Sequence, residues 1–574
     1  MRPFIYTALF FLWSGLLIGQ NLENLDELPP LQLSGNIRLA SQYYTADGLP
    51  PRANPFMWNA SGSVVLQVYS LRLPFSFTLG QHRPNLRYPT FNQFGISPSY
   101  KWITLHAGYR NMLFSRYTLN NHTFLGGGIE LNPGKLRFAA MIGQLQQGIR
   151  EIDNEIDLLF GAPVYNRQGY GVKVGVGGQN SFFDLIFFRA QDTKLRLEEG
   201  SLPDSLLPPQ EENTVLGFHW QQQIIKGLSL DIEAAVSAFD RRGDATPLDL
   251  DNETANLWIN RFFTPSYASQ AGLATRGSLR YQLRSFRMSV LYERIDPGYR
   301  TMGAYFFAND LENWLANTGF ALAKGKVRLQ GSFGLQHNNL YNTRATANWR
   351  RIGSGVISIN PVPVLGLDLT YSNFNIENRP GTILVLNDTL RVASATNQYG
   401  ANLRYSILPE SGQITNVLLS ANYQNTLDDN PLSELYTEVE ALFLNLSVHQ
   451  IFANRSTQAS LGVHYNTVTS AFLESAGYGA NGQVRQSFRE NTLQLQLTNA
   501  FTLNEVGEIR DGWTNSLQFR TQWKLHPQHA LSLGLFWIQR KSTQLNAFSE
   551  YRGQLQYIYT LPTIGGKKNT TSNQ

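Results

Sequence analysis

From about Leu31 to Leu561 the chain repeats a two-residue rhythm, apolar on one phase and polar on the other, in segments of about nine to eleven residues. Residues 513–525 show it: Leu517, Phe519, Trp523 and Leu525 share one phase, and Ser516, Gln518, Arg520, Gln522 and Lys524 the other. Side chains that alternate at period two stand on opposite faces of a strand, and a helix cannot separate them in this way. Repeated along most of the chain behind an export signal, the rhythm describes an all-β protein, a transmembrane antiparallel β-barrel whose outside meets lipid and whose inside meets water.

The first twenty residues carry that signal. Arg2 gives a positive start, and Phe4 to Ile18 form an apolar run interrupted by Trp13, Ser14 and Gly15 and too short to span a bilayer comfortably. Cleavage is expected near Gly19-Gln20. Beyond residue 20 no stretch approaches eighteen uninterrupted apolar residues, so a membrane role rests on strands. The expected organisation is a signal peptide over 1–20, a barrel over 21–561 and a polar tail over 562–574.

Composition supports this reading. Charged residues are 16% of the chain and aromatic ones 12%, with 48 glycines, against roughly 25% charged residues in a soluble domain. Mean hydropathy is only −0.25, because alternation hides apolar surface in the average. With no Cys in 574 residues, neither disulfides nor thiolate metal sites support the fold. The net charge of +5 and the lack of a basic run with interleaved aromatics argue against nucleic acid.

Short and long connections alternate. Short turns fall at Asn132 to Lys135, Gly178 to Ser181, Ile225 to Gly227, Arg284 to Phe286, Lys324 to Lys326, Glu410 to Gly412, Ala453 to Arg455, Phe488 to Asn491 and His526 to Gln528. Longer, Pro- and Asp-rich loops intervene, as expected of periplasmic turns and outside loops. The pattern gives about twenty-five candidate strands, and the parity breaks between residues 82 and 122. A single-chain barrel closes with an even number, so about 24 to 26 strands are expected, with one hidden or false strand in that interval.

The segment from Phe91 to Trp102, with Leu105 to Arg110, His122 to Gly128 and Asn132 to Gly134, resembles uncharacterised outer-membrane β-barrel proteins of Bacteroidota. The resemblance implies location and fold, with no substrate or catalytic residue to carry over. The strand number is also similar to that of TonB-dependent importers, but Asn21 to Pro30 leave no room for a plug domain ahead of the first strand pattern. A barrel this wide would otherwise enclose a large aqueous hole, so inward loops, a partner or a flattened section must narrow it. His82 to Lys101 is the internal candidate: it breaks the alternation, carries three prolines, and offers Tyr88, Phe91, Phe94 and Tyr100 for folding into the lumen. The glycines at 126–128, 169, 171, 175, 177 and 178 mark a bend, a close backbone approach or a weak lateral seam, with the bend preferred.

Arg280, Arg284, Arg328, Arg404, Arg520, Lys524 and Arg552 fall on inward phases, against fewer inward acids such as Asp231, Glu233 and Asp368. A basic lining favours anions, but lumen arginines commonly pair with loop carboxylates, and that pairing is the preferred reading of these residues. Glu151, Asp153, Glu155 and Asp157, and the set Asp240, Asp244, Asp249, Asp251 and Glu253, lack the spacing of a calcium loop and read as solvated loops without a metal. No His-Glu-x-x-His or Gly-x-Ser-x-Gly motif occurs, and His106 and His464 read as hydrogen-bonded wall residues. No enzyme, cofactor or metal site is expected. The functional expectation is a passive channel or solute transporter favouring anions, with a non-catalytic subunit of an export or biogenesis complex as the alternative. The expected partners are outer-membrane lipid and lipopolysaccharide, the barrel insertion machinery and, for the second reading, an envelope protein.

Overall fold

The computed structural model describes residues 31–81, 93–148, 165–193, 209–242, 263, 265–382, 391–409, 412–507, 509–543 and 546–564. Its first strands are β1 (Gln32–Asp47), β2 (Phe56–Val68), β3 (Leu71–Gly80), β4 (Gln93–Ile96), β5 (Ser99–Tyr100), β6 (Ile103–Leu113) and β7 (Asn120–Leu131). They continue with β8 (Leu136–Gln146), β9 (Asn166–Gly177), β10 (Phe182–Thr193), β11 (Gln210–Ile225), β12 (Leu228–Arg242), β13 (Gln270–Gln282) and β14 (Phe286–Ile295). Next come β15 (Leu311–Leu322), β16 (Val327–Asn338), β17 (Thr346–Val362), β18 (Leu365–Pro380), β19 (Ala393–Ile407), β20 (Gln413–Asp428) and β21 (Val439–Phe452). The last are β22 (Thr457–Ser470), β23 (Glu474–Phe488), β24 (Leu493–Val506), β25 (Ile509–His526), β26 (His529–Ser542) and β27 (Phe548–Ile564).

Apart from β4 and β5, which do not pair with each other, every strand pairs antiparallel with its neighbours along the chain, and β1 closes on β27 from Gly35 opposite Leu561 to Asp47 opposite Ser549. β4 and β5 both pair with β3 and β6, so they are two pieces of one wall strand and the closed barrel has 26. This is the strand missing from the alternation between residues 82 and 122. Its break has a local cause. Pro74 in β3 accepts from Ser97 N but has no N–H to return, and Pro98 likewise accepts from Leu105 N without donating. Gly108, with φ +88, bends β6 opposite the break, where a Cβ would meet Phe94 O at 2.5 Å.

The start of β1, the end of β27 and the short turns share one rim. At the other rim not every connection is long: β22 joins β23, and β24 joins β25, through turns as tight as those below. The last strand also runs to Ile564, past the expected barrel end at Leu561.

Register fixes the two faces. Leu367, Leu403, Leu419, Leu446 and Val463 form one lateral row on the outside. Leu419 is 45% exposed in the isolated chain, as a lipid-facing residue must be. Above this row Tyr371, Tyr399 and Tyr423 stand side by side, with ring centroids 5.1 and 6.2 Å apart. Outer-face charges such as Arg351 and Glu377, 3.7 Å apart, lie beyond these tyrosines. Half-wet phenols at the boundary between leucines and charges mark a membrane interface. On the inner face of the same strands, Ser372 donates to Gln398 at 3.2 Å and Gln398 to Gln424 at 2.8 Å.

Leu419→Arg is expected to cost about 2–4 kcal/mol, whereas Ser420→Arg, one step along and facing the lumen, should cost less than half as much. Chemical unfolding in lipid vesicles measures both; equal losses would mean that the faces are misassigned.

Candidate functional site

A single β-sheet wrapped into 26 strands cannot fill its own interior with wall side chains, and here two connections do so on one side. The first joins β14 to β15 through residues 296–310 and lies against the inner wall. Asp296 anchors its start, its N–H donating to Leu273 O (2.9 Å) and its carboxylate accepting from Leu273 N (3.1 Å). Asn213, fully buried on the inner face of β11, holds its middle: Nδ2 donates to Arg300 O at 3.1 Å, and Oδ1 accepts from Met302 N at 3.0 Å. Ser237 of β12 donates to the same Arg300 oxygen at 2.5 Å. Farther on, the Tyr305 ring stacks on His122 of β7 at 4.0 Å.

The second connection, residues 114–119 between β6 and β7, packs against the first. Tyr299 Oη donates to Tyr117 O (2.5 Å), Thr301 Oγ1 to Thr118 O (2.7 Å), and Asn120 N to Gly303 O (2.8 Å). Wall carboxylates receive Tyr117: its N–H donates to Glu233 at 3.2 Å and its hydroxyl to Glu293 at 2.7 Å. Burial, and then the Glu293 carboxylate beside it, push the Tyr117 phenol far above its ordinary range, so it remains a donor at any physiological pH. The two loops and the wall beneath them bury one apolar cluster that includes Phe114, Tyr117, Leu119, Phe188, Val215, Phe239, Tyr299 and Met302.

Glycine makes room for this packing. A Cβ on Gly171 would meet the Phe114 ring at 2.8 Å, and one on Gly128 would meet the Met112 sulfur at 2.5 Å. On the inner face of β7 to β9, Gly128, Gly169 and Gly171 are sites of close approach for interior side chains, whereas Gly126 meets the backbone of β8 at Ile142 O and Gly177, at φ +138, holds a bend. Phe306 is the exception among the loop aromatics. With Tyr305 and Phe307 turned to the wall and cluster, it is 96% exposed.

The described part of the segment from His82 to Lys101, residues 93–101, does not supply this filling. Its residues 93–96 and 99–100 are wall, with Phe94 opposite Phe77 and 57% exposed on the outer face, and Tyr100 on the same outward phase opposite Leu71. Tyr88 and Phe91 lie outside the described residues. Aromatic density alone could not separate the two segments, since 299–307 carries Tyr299, Tyr305, Phe306 and Phe307 in much the same way. The distinguishing signal was the inner-face glycine set, which marks where the wall receives something bulky.

The register puts Arg280, Arg328, Arg404, Arg520, Lys524 and Arg552 on the inner face, with Arg284 in the turn after β13. Arg552 pairs with Glu550 at 3.2 Å. The other six form no ion pair among the described residues; Arg404 donates to the Asn360 amide at 3.4 Å, and Arg520 to the Gln518 amide oxygen at 2.9 Å once that amide is turned toward it. Sequence reading did not single out Arg287, which joins Arg284 and Arg328 around a recess of about 300 Å³. Gly319 lets it lie along the wall, since a Cβ there would come within 2.6 Å of Arg287 Nε.

Most inner-face acids are matched, Asp184 by Arg137 at 2.7 Å and Asp231 by His219 at 3.1 Å. Asp368 has no ion pair among the described residues. His106 bonds Ser97 at 3.0 Å and His464 bonds Thr502 at 3.0 Å, both as wall residues. Asp240 accepts from Ser269 at 2.5 Å. The rest of its acidic set, and the residues from Glu151 to Asp157, lie outside the described residues. Among the described residues no three potential metal ligands converge.

Asn213→Ala should release the middle of the 296–310 loop, at a cost of roughly 1–3 kcal/mol for buried partners left unpaired. Limited trypsin digestion is expected to cut after Arg300 at least several-fold faster in the variant; equal rates would show that Asn213 does not hold the loop.

No family model and no curated protein sequence matches the chain. Among solved structures it is similar to the P pilus usher (PapC) translocation pore, at 11% identity and a TM-score of 0.39, covering 92% of this chain and 100% of that one. It is similar to the FrpB iron transporter from Neisseria meningitidis at 10% identity and a TM-score of 0.35, covering 92% and 82%. Acinetobacter baumannii OccAB4 follows at 10% identity and a TM-score of 0.29, covering 94% and 100%. Likeness at this level is silent on cargo.

Proposed function

We propose that the protein is a passive diffusion channel of the Gram-negative outer membrane, that its path runs along the inner wall of β18 to β27, and that it favours anions. The observation that carries this reading is the one-sided filling of the lumen. The bonds of loops 114–119 and 296–310 go to one another, to β6 through β15 and to the rim beside them, and none reaches β18 to β27 among the described residues. The wall of β18 to β27 carries Gln, Asn, Ser and Thr on its inner face, and these bond to one another, as Gln398 does to Gln424 and Ser406 to Asn416.

Charge supports the anion preference. Inner-face carboxylates largely have partners, whereas Arg404, Arg520 and Lys524 on the path, and Arg280, Arg284 and Arg328 on the wall beside it, form no ion pair among the described residues, so a net positive field remains in the lumen. A lining of this kind raises the local concentration of anions and lowers that of cations.

Purified protein in a planar bilayer under a potassium chloride gradient should carry current with a reversal potential on the chloride side. The combined variant Arg280→Gln, Arg284→Gln, Arg328→Gln should move that potential toward zero while conductance persists. Absence of current in the wild type would sink the channel reading; current without anion preference would sink only the selectivity.

A further inference from the structure

We infer that the inner wall of β23 to β27 holds a binding site for an anionic polyhydroxylated solute, an acidic sugar of about two rings. This rests on the channel reading above and adds a ligand class to it.

The site is a recess of about 590 Å³ on the part of the inner wall that no bond from loops 114–119 and 296–310 reaches among the described residues. Its centre is a single cross-strand row: Arg485 lies opposite Gln496, Gln496 opposite Arg520, Arg520 opposite Gly534, and Gly534 opposite Gln554. Gly534 forms the floor. The one atom within 4 Å of a Cβ placed there is Gln554 Cβ, at 4.0 Å, so the glycine keeps a gap between arginines rather than admitting a neighbouring side chain. Arg552 stands one inward step from Gln554 along β27.

Three guanidinium groups and six glutamines line the recess, with no carboxylate among its lining residues. Neutral amides brace two of the cations: Arg485 Nη2 donates to Gln494 Oε1 at 2.6 Å, and Arg520, with the Gln518 amide oxygen turned toward it, donates to that oxygen at 2.9 and 3.0 Å. Their charge is thus oriented without being neutralised, and each keeps donors free for a ligand carboxylate. Arg552 alone has an acid beside it, Glu550.

Glutamine explains the hydroxyl preference. A sugar hydroxyl both donates and accepts, and a primary amide offers both functions at one side chain, where an arginine only donates. Arg485 and Arg520 are two strands apart, roughly 10 Å, a span that suits charges on successive linked rings better than a single small carboxylate. A small inorganic anion could satisfy the arginines but would leave the glutamines idle.

The test is single-channel recording with digalacturonate added to one side, compared with lactose and acetate at equal concentration. Digalacturonate should interrupt the current with resolvable dwell times, while lactose and acetate should not. Arg520→Gln, and separately Gln496→Ala with Gln554→Ala, should shorten the dwell about tenfold, the loss of one or two charged hydrogen bonds. Arg328→Gln, outside the recess, should lower anion preference without changing the dwell. Interruptions by acetate equal to those by digalacturonate, or equal shortening by Arg328→Gln, would overturn the site and leave an anion-selective channel. Calorimetric titration of digalacturonate into the detergent-solubilised barrel reads the site without current. Heat of binding lost in Arg520→Gln supports it even if the channel reading fails, and no heat in the wild type overturns it.

Discussion

In a bilayer core no water is present to hydrogen-bond an unpaired backbone N–H or C=O, so a sheet can enter it only if it has no edges. The pairing of β1 with β27 meets that requirement, and much of the architecture follows from it. Closure with antiparallel neighbours demands an even number of strands and brings both ends of the wall to one rim. It also explains why a strand as poor as β4 with β5 is kept in the wall. Two short pieces around Ser97 and Pro98 are a weak strand, yet omitting them would expose the edges of β3 and β6 to lipid.

A wall of 26 strands encloses more space than its side chains can fill. The protein answers with a core that is local. Loops 114–119 and 296–310 fold against the inner wall and bury Tyr117, Tyr299 and Phe188 with the completeness of a soluble domain, all three essentially inaccessible. Polar groups withdrawn from water in this core find partners, since an unpaired one would forfeit its hydration for nothing. Asn213 spends both ends of its amide on the loop, and Glu233 and Glu293 receive Tyr117. The outer wall needs no such fit, since lipid adapts to whatever apolar shape the leucines present.

The two faces were legible in the sequence because alternation is a local property: Leu419 and Ser420 could be sorted by parity alone, and so could Arg280 and Arg520. Strand number was legible to within the ambiguity that Pro74 and Pro98 create, since a strand broken by missing donors no longer alternates over a recognisable length. The inward loop was not legible. Whether Tyr299 or Phe94 enters the lumen depends on which stretch of wall can receive it, and for Tyr299 that room is left by Gly272 of β13, where a Cβ would meet the Tyr299 backbone. Arg287 was missed for a related reason, as its lie along the wall depends on Gly319 of the next strand.

The tight upper turns of β22 to β25 acquire a meaning beside the packed loops. One arc of this cylinder is a pillar, rigid, dry and committed to holding shape; the opposite arc has little superstructure on its outer rim at those strands. Among the described residues the lumen is therefore bounded by a bare wall on one side and a buttress on the other. The free cross-section then depends on how far the buttress reaches as well as on the number of strands, so a change in one loop would alter it and leave the wall untouched.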